Sequence, residues 1–241
     1  MNNFFDTALS FAFPVRCKYC GRVIKLDEEI CPECEKTLER VVGKVCLKCG
    51  CEKDRCNCKK KRIFYKAVVA PHYYDSSARY AVWNLKFNGF REFSKILAED
   101  MLLTYKEHYS ELDFDFCTFV PMNKKSLREC DFNHAEAIAS ELSVLTGLEC
   151  VSVLEKIFET RTQHKLSETE RSGNLLGAFS VIDNTVVDGK RILLCDDVKT
   201  TGATLNECAK TLLIAGAAEV YCITALVTGK KRSPEEKNTL Q

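Results

Sequence analysis

Three absences narrow this 241-residue chain before any motif is read. No apolar stretch approaches the ~20 residues that a membrane-spanning helix needs. Charge of one sign is missing too. Lys and Arg number 35 against 34 Asp and Glu, a net +1, which excludes bulk electrostatic attraction to nucleic acid or membrane. The opening MNNFFDTALSFAFPV lacks a basic segment and carries Asp6. It therefore reads as a short helix packing Phe4, Phe5 and Leu9 inward rather than as a secretory leader. The expected location is cytoplasmic. No long-period repeat is present either. What remains is a chain that is 46% hydrophobic, enough for a packed core, in one large domain or in a small domain plus one of ordinary size.

Cysteine is the residue in excess. Nine of the fifteen fall in the first 58 residues, six of them in three Cys-x-x-Cys pairs. Cys17-x-x-Cys20 and Cys31-x-x-Cys34 each form a tight turn able to aim two thiolates at one ion, and four thiolates make a closed structural zinc site. Without metal so short a segment has little to hold it folded. A second set, Cys46, Cys49, Cys56 and Cys58, makes another candidate site. Cys51 is a fifth claimant that could replace a neighbour or stay free. A redox role lacks a thioredoxin-like context. The remaining six (Cys117, Cys130, Cys150, Cys195, Cys208, Cys222) read as small buried hydrophobes. The run Lys59–Arg62 with Phe64 and Tyr65 could grip single-stranded nucleic acid, although a solvated linker explains so short a run more simply.

Beyond residue 62 the texture changes. Lys66–His72, Asp115–Pro121, Ile192–Cys195 and Val220–Val227 read as strands. Phe90 to Leu102, Ala135 to Leu145 and Leu205 to Ala215 carry helical spacing, with Gly147 and Gly216 as stops. Strands alternating with helices imply a doubly wound, mostly parallel sheet. The expected division is residues 1–62 as a double zinc ribbon and 63–241 as an α/β domain.

Arg191 to Thr204, RILLCDDVKTTGAT, is the most informative stretch. A buried strand delivers Asp196 and Asp197, and a turn of Lys199, Thr200, Thr201, Gly202, Ala203 and Thr204 opens a helix. Adjacent carboxylates can accept hydrogen bonds from two vicinal hydroxyls, while a helix start preceded by glycine offers amides to phosphate. The pattern suits a phosphorylated ribose. A nucleotide-binding P-loop is excluded, because no G-x-x-x-x-G-K-[ST] run exists; Gly189-Lys190 and Gly229-Lys230 lack the rest of it.

That stretch resembles the phosphoribosyl-diphosphate (PRPP) motif of type I phosphoribosyltransferases. With FPVRCKYCG, the second cysteine set, Leu85-Lys86-Phe87, VPMNKKSLRECDFNHA and Thr160–Phe179, the resemblance extends over nearly the whole chain to the ComF family. That family joins a double zinc ribbon to a type I phosphoribosyltransferase-like domain and is associated with natural competence and the uptake of single-stranded DNA. The resemblance implies that Asp196 and Asp197 take the ribose and Lys199 to Thr204 the 5-phosphate of PRPP, with magnesium arriving on the substrate. It places a diphosphate loop at Pro121–Phe132, where Lys124, Lys125 and Arg128 could neutralise charge. The family usually carries Arg-Gly where this chain has Cys130-Asp131, and Gln where it has His134. Thr160–Arg171, with His164, resembles the loop that closes over PRPP. Two functions follow: a phosphoribosyltransferase, or an adaptor that senses PRPP or a nucleotide and binds single-stranded DNA or a protein partner through the ribbons.

Overall fold

The computed structural model describes residues 14–56, 58, 62–74, 76–157 and 177–230. The expected helix at Phe4–Leu9 and most of the Thr160–Phe179 segment lie outside them.

Five strands form the main sheet, all paired in parallel. β7 (Glu219–Val227) and β6 (Arg191–Lys199) are its centre, nine residues each. β3 (Phe116–Phe119) flanks β6, while β1 (Val68–Val69) and β2 (His72–Tyr73) share the outer side of β7. The single strand expected at Lys66–His72 is thus two short ones. Pro71 falls between them and has no amide to donate; its carbonyl accepts from Val41 instead. β4 (Leu154–Lys156) and β5 (Phe179–Val181) form a separate antiparallel pair.

Helices cover both faces of the sheet. α2 (Arg79–Phe87), α3 (Glu92–His108) and α5 (His134–Thr146) bury Leu85, Leu97, Met101, Ile138 and Leu142 on one side. α7 (Ala203–Ile214) buries Leu205, Cys208 and Leu212 on the other. The remaining helices are short: α1 (Pro32–Thr37), α4 (Lys124–Cys130) and α6 (Asn184–Val187). Gly147 ends α5 in the left-handed conformation expected of a C-terminal stop. The segment read as a diphosphate loop contains α4. Asn123 caps that helix by accepting from the Ser126 amide at 2.7 Å, a local bond that sequence periodicity over seven residues does not reveal.

Among the described residues the cysteine-rich part forms no separate core. Cys17, Tyr19, Cys31 and Cys34 belong to the same apolar cluster as α3 and α5, and Cys51 joins Ala70, Tyr73 and Val227. No helix among the described residues is long and apolar enough to cross a membrane.

Candidate functional site

The two helices that follow β3 and β6 lie on opposite faces of the sheet: α5 on one, α7 on the other. Between those strands the winding reverses, so a crevice opens at their carboxyl ends, where open α/β sheets hold ligands. The acid pair stands there. β3 stops pairing at Phe119↔Cys195, so Asp196 and Asp197 run one and two residues past their neighbour on that side. On the other side β6 stays paired with β7 to Lys199↔Val227. The strand therefore continues beyond the acids, farther than the Ile192–Cys195 expected from sequence. The Thr228 amide and hydroxyl extend that pairing by donating to the carbonyls of Lys199 and Thr200.

Asp196 is half-buried, and its Oδ1 accepts from the Asp197 amide at 2.9 Å. Burial and then the charge of Asp197 push its carboxyl up to about 8, against the opposing pull of Lys86 and Lys156. Asp197 pairs with Lys86 of α2, Nζ to Oδ2 at 2.6 Å. The turn behind them exposes Thr200 and Thr201, while Lys199 is buried. Gly202 sits at φ 76°, and a Cβ there would come within 3.0 Å of the Lys199 side chain; glycine is what lets the chain turn into α7. Thr201 Oγ1 accepts from the Ala203 amide at 3.3 Å. Ala203 and Thr204 open α7 half-buried. Acids, turn and helix start thus occupy one strand end.

Asn133 fixes the opposite wall. Its Oδ1 accepts from the Ala135 amide and its Nδ2 donates to the Val120 carbonyl, tying the start of α5 to the end of β3. Lys125 and Arg128 lie exposed on α4, just before that junction; Lys124 begins the same helix. Asp131, at φ 61°, is the only non-glycine residue with positive φ among the described residues. Sequence reasoning missed three residues here. Lys86 was visible only as part of a motif. His134 is buried, with Nε2 lacking a hydrogen-bond partner among the described residues, and it feels the charges of Asp197 and Lys86. Lys156 faces Asp196 from β4, and its ammonium is held below the usual lysine range by burial.

Both four-cysteine groups come together. Within each of Cys17, Cys20, Cys31, Cys34 and Cys46, Cys49, Cys56, Cys58, the ligand atoms lie within 4.8 Å of one another. Sγ of Cys20 and Cys31 are 3.7 Å apart, and those of Cys46 and Cys58 are 3.9 Å apart. Sulfurs on a tetrahedral zinc stand about 3.8 Å apart, so both groups are compatible with structural zinc. The two knuckles are built alike. Gly21 and Gly50 follow the Cys-x-x-Cys turns with φ 74° and 78°, each donating its amide to the first cysteine's carbonyl. Burial opposes ionisation of Cys17 and Cys46, but amide hydrogen bonds outweigh it and bring both thiols down to about 7. Cys51 stays outside: its Sγ turns to the Thr228 carbonyl at 3.4 Å.

A mostly parallel sheet with two adjacent acids and a glycine-turned helix start on its central strand defines a type I phosphoribosyltransferase-like domain. Residues 132–240 match the phosphoribosyl transferase domain family. The competence protein ComFC of Streptococcus pneumoniae is 27% identical over 86% of this chain and 97% of its own length. The DNA utilization protein YhgH of Escherichia coli is 29% identical over 86% of this chain and 88% of its own. With paired four-cysteine groups ahead of that domain and such relatives over most of its length, the chain is similar to the ComF family. Among solved structures, an adenine phosphoribosyltransferase from Thermoanaerobacter pseudethanolicus aligns at 13% identity over 62% of this chain and 73% of its own, with a TM-score of 0.37.

Proposed function

We propose that the chain binds PRPP as its magnesium complex at the carboxyl end of β6. Asp196 and Asp197 accept from the ribose hydroxyls, and Lys199 to Thr204 wrap the 5-phosphate. The observation that carries this reading is the acid pair projecting past β3 with the Gly202 turn on the same strand. Magnesium would come held by substrate oxygens and water, and would offset the leaving group's charge. In the transferase reading the bond from ribosyl carbon 1 to diphosphate breaks, an acceptor nitrogen bonds to that carbon, and the nitrogen loses its proton. This chain's residues contribute orientation and charge complementarity. Both cysteine groups hold structural zinc, which fits the reduced cysteines of a cytoplasmic protein. Calorimetry with PRPP and magnesium tests the site: binding heat for the wild type, abolished in Asp196→Asn with Asp197→Asn. Absence of heat from the wild type would end the reading.

A second surface favours a single-stranded DNA partner, and one group of relatives is named for DNA utilization. Tyr65, a candidate stacking ring in sequence, is buried and donates its hydroxyl to the Lys48 carbonyl. The exposed rings lie instead on and after α2. Tyr80, Trp83, Phe87 and Phe90 are 42, 56, 66 and 48% exposed, with Trp83 and Phe87 4.4 Å apart. Cations interleave with them: Arg79 lies over Tyr80, and Arg91 over Phe132. Rings for bases beside cations for phosphates are the chemistry of such a strand. Trp83 is the chain's only tryptophan, so its fluorescence reports directly. A single-stranded oligonucleotide should quench it, and Phe87→Ala should weaken binding. Unchanged fluorescence at saturating oligonucleotide rules this face out.

A further inference from the structure

The ion pair between Lys86 and Asp197 raises a question that the phosphoribose reading, on which this inference rests, leaves open. If Asp197 takes a ribose hydroxyl, an ammonium already stands 2.6 Å from its Oδ2. Both side chains are largely sheltered, at 29% and 13% exposure, so this is no incidental surface contact. The lysine comes from α2, whose other side is anchored in the core by Ala81, Val82 and Leu85. It is therefore presented to the crevice by a fixed element.

Three further observations bear on its role. Against the Arg-Gly usual in the family, the loop expected to neutralise diphosphate lacks one cation and gains an acid: Cys130 and Asp131 stand there, and Lys125 and Arg128 are exposed. A cation from another element would make up that difference. Across the crevice, His134 is 4% exposed and its Nε2 has no hydrogen-bond partner among the described residues. A buried polar atom left unpaired calls for an explanation, and a bound ligand group supplies one. On the third side the charge of Lys156 acts on Asp196, as does that of Lys86, whereas the direct ion pair of Lys86 is with Asp197.

We propose that Lys86 is a transferable cation: it holds Asp197 while the crevice is empty and passes to the diphosphate oxygens when PRPP binds. Ribose hydroxyls donate to the vacated carboxylate, so Asp197 exchanges one donor for another. The ammonium exchanges a carboxylate for a diphosphate oxygen. No covalent bond changes, and neither charged group is left alone. Lys86 thus supplies from α2 the positive charge that Cys130 and Asp131 withhold. It also makes α2 sense whether the ligand carries a diphosphate or only a sugar phosphate.

The test compares two ligands on three full-length proteins by calorimetry: PRPP with magnesium, and ribose 5-phosphate. In Lys86→Met, affinity for PRPP should fall about ten- to a hundredfold, as expected for a lost charge-assisted contact. Affinity for ribose 5-phosphate should hold or rise, since Asp197 is released. Lys86→Arg should retain most of the PRPP affinity. An equal fall for both ligands in Lys86→Met would make the lysine a mere positioning residue and overturn the proposal, as would an unchanged PRPP affinity. Should Lys86→Met fail to fold, Lys86→Gln carries the same comparison. A wild type that binds neither ligand overturns the phosphoribose reading, and this inference with it. A wild type that binds both, beside a variant that shows no difference between them, overturns the inference alone.

Discussion

Tyr19 and Asp100, 81 residues apart, meet in a 2.8 Å hydrogen bond from hydroxyl to Oδ2. The same carboxylate pairs with His72 Nε2 at 2.9 Å and with Lys18 at 3.3 Å. One buried acid on α3 thus gathers the first cysteine knuckle and β2. Burial raises its pKa, but the His72 hydrogen bond and charge, with Lys18 and Tyr19, more than offset this and leave it lowered. An acid whose folded pKa is lowered stabilises above its unfolded pKa and loses that contribution as pH falls through the folded one. Asp100→Ala should cost about 3 kcal/mol at pH 7, in the range for removing one partner of a buried pair. Urea denaturation should show the gap to the wild type narrowing below about pH 4.

Asp196 behaves in the opposite sense. Its folded pKa of about 8 exceeds the ordinary 3.8, so between those values the native state keeps a proton that the unfolded chain has released. Stability from this group therefore falls as pH rises from 4 to 8. The titratable groups whose charges interact with it are Asp197, Lys86, Lys156, Cys208 and Cys222. Asp196→Asn should melt higher than the wild type near pH 8, on the order of several °C, with the difference shrinking toward pH 4. Thermal melts without ligand at four pH values would measure it. A constant difference would contradict the assignment.

Asp131 stands at φ 61° where the family usually has glycine. Left-handed backbone costs a side-chain-bearing residue roughly 1 kcal/mol. Asp131→Gly should recover about that amount in chemical denaturation. By removing an acid from the diphosphate loop it should also tighten PRPP binding in the same calorimetric assay.

Metal removal should not be a local event. Cys17, Cys31 and Cys34 are packed into the cluster that includes Leu97, Met101 and Ile138. Mass spectrometry under native conditions should find two zinc ions per chain. Stripping them with a chelator should lower the melting temperature of the whole molecule rather than add a separate early transition. Cys17→Ser should act likewise, and more severely than Cys58→Ser, whose side chain is exposed.

The sequence was most readable where one local pattern fixes both backbone and chemistry. The acids, the threonine-glycine turn and α7 sit in one unbroken stretch, and each cysteine knuckle is a turn closed by its own glycine. Lys86 was not legible: its partner lies on another element, brought near only when α2 packs into the core beside α3. β1 and β2 misled because apolar content alone does not show that Pro71 breaks the ladder. The place of Cys51 was undecidable from spacing, because Thr228, which holds it, lies 177 residues away.

The contact between Cys51 and Thr228 reaches further than the cysteine itself. Thr228 also fastens Lys199 and Thr200, and Tyr65 runs from the second knuckle to the edge of Gly202. The cysteine-rich arm is accordingly a buttress of the turn between β6 and α7, the cradle proposed for the sugar phosphate. Severing the chain at Ile63 would not liberate a working half: it would bare Tyr73 and leave the cradle's rim without its outer support.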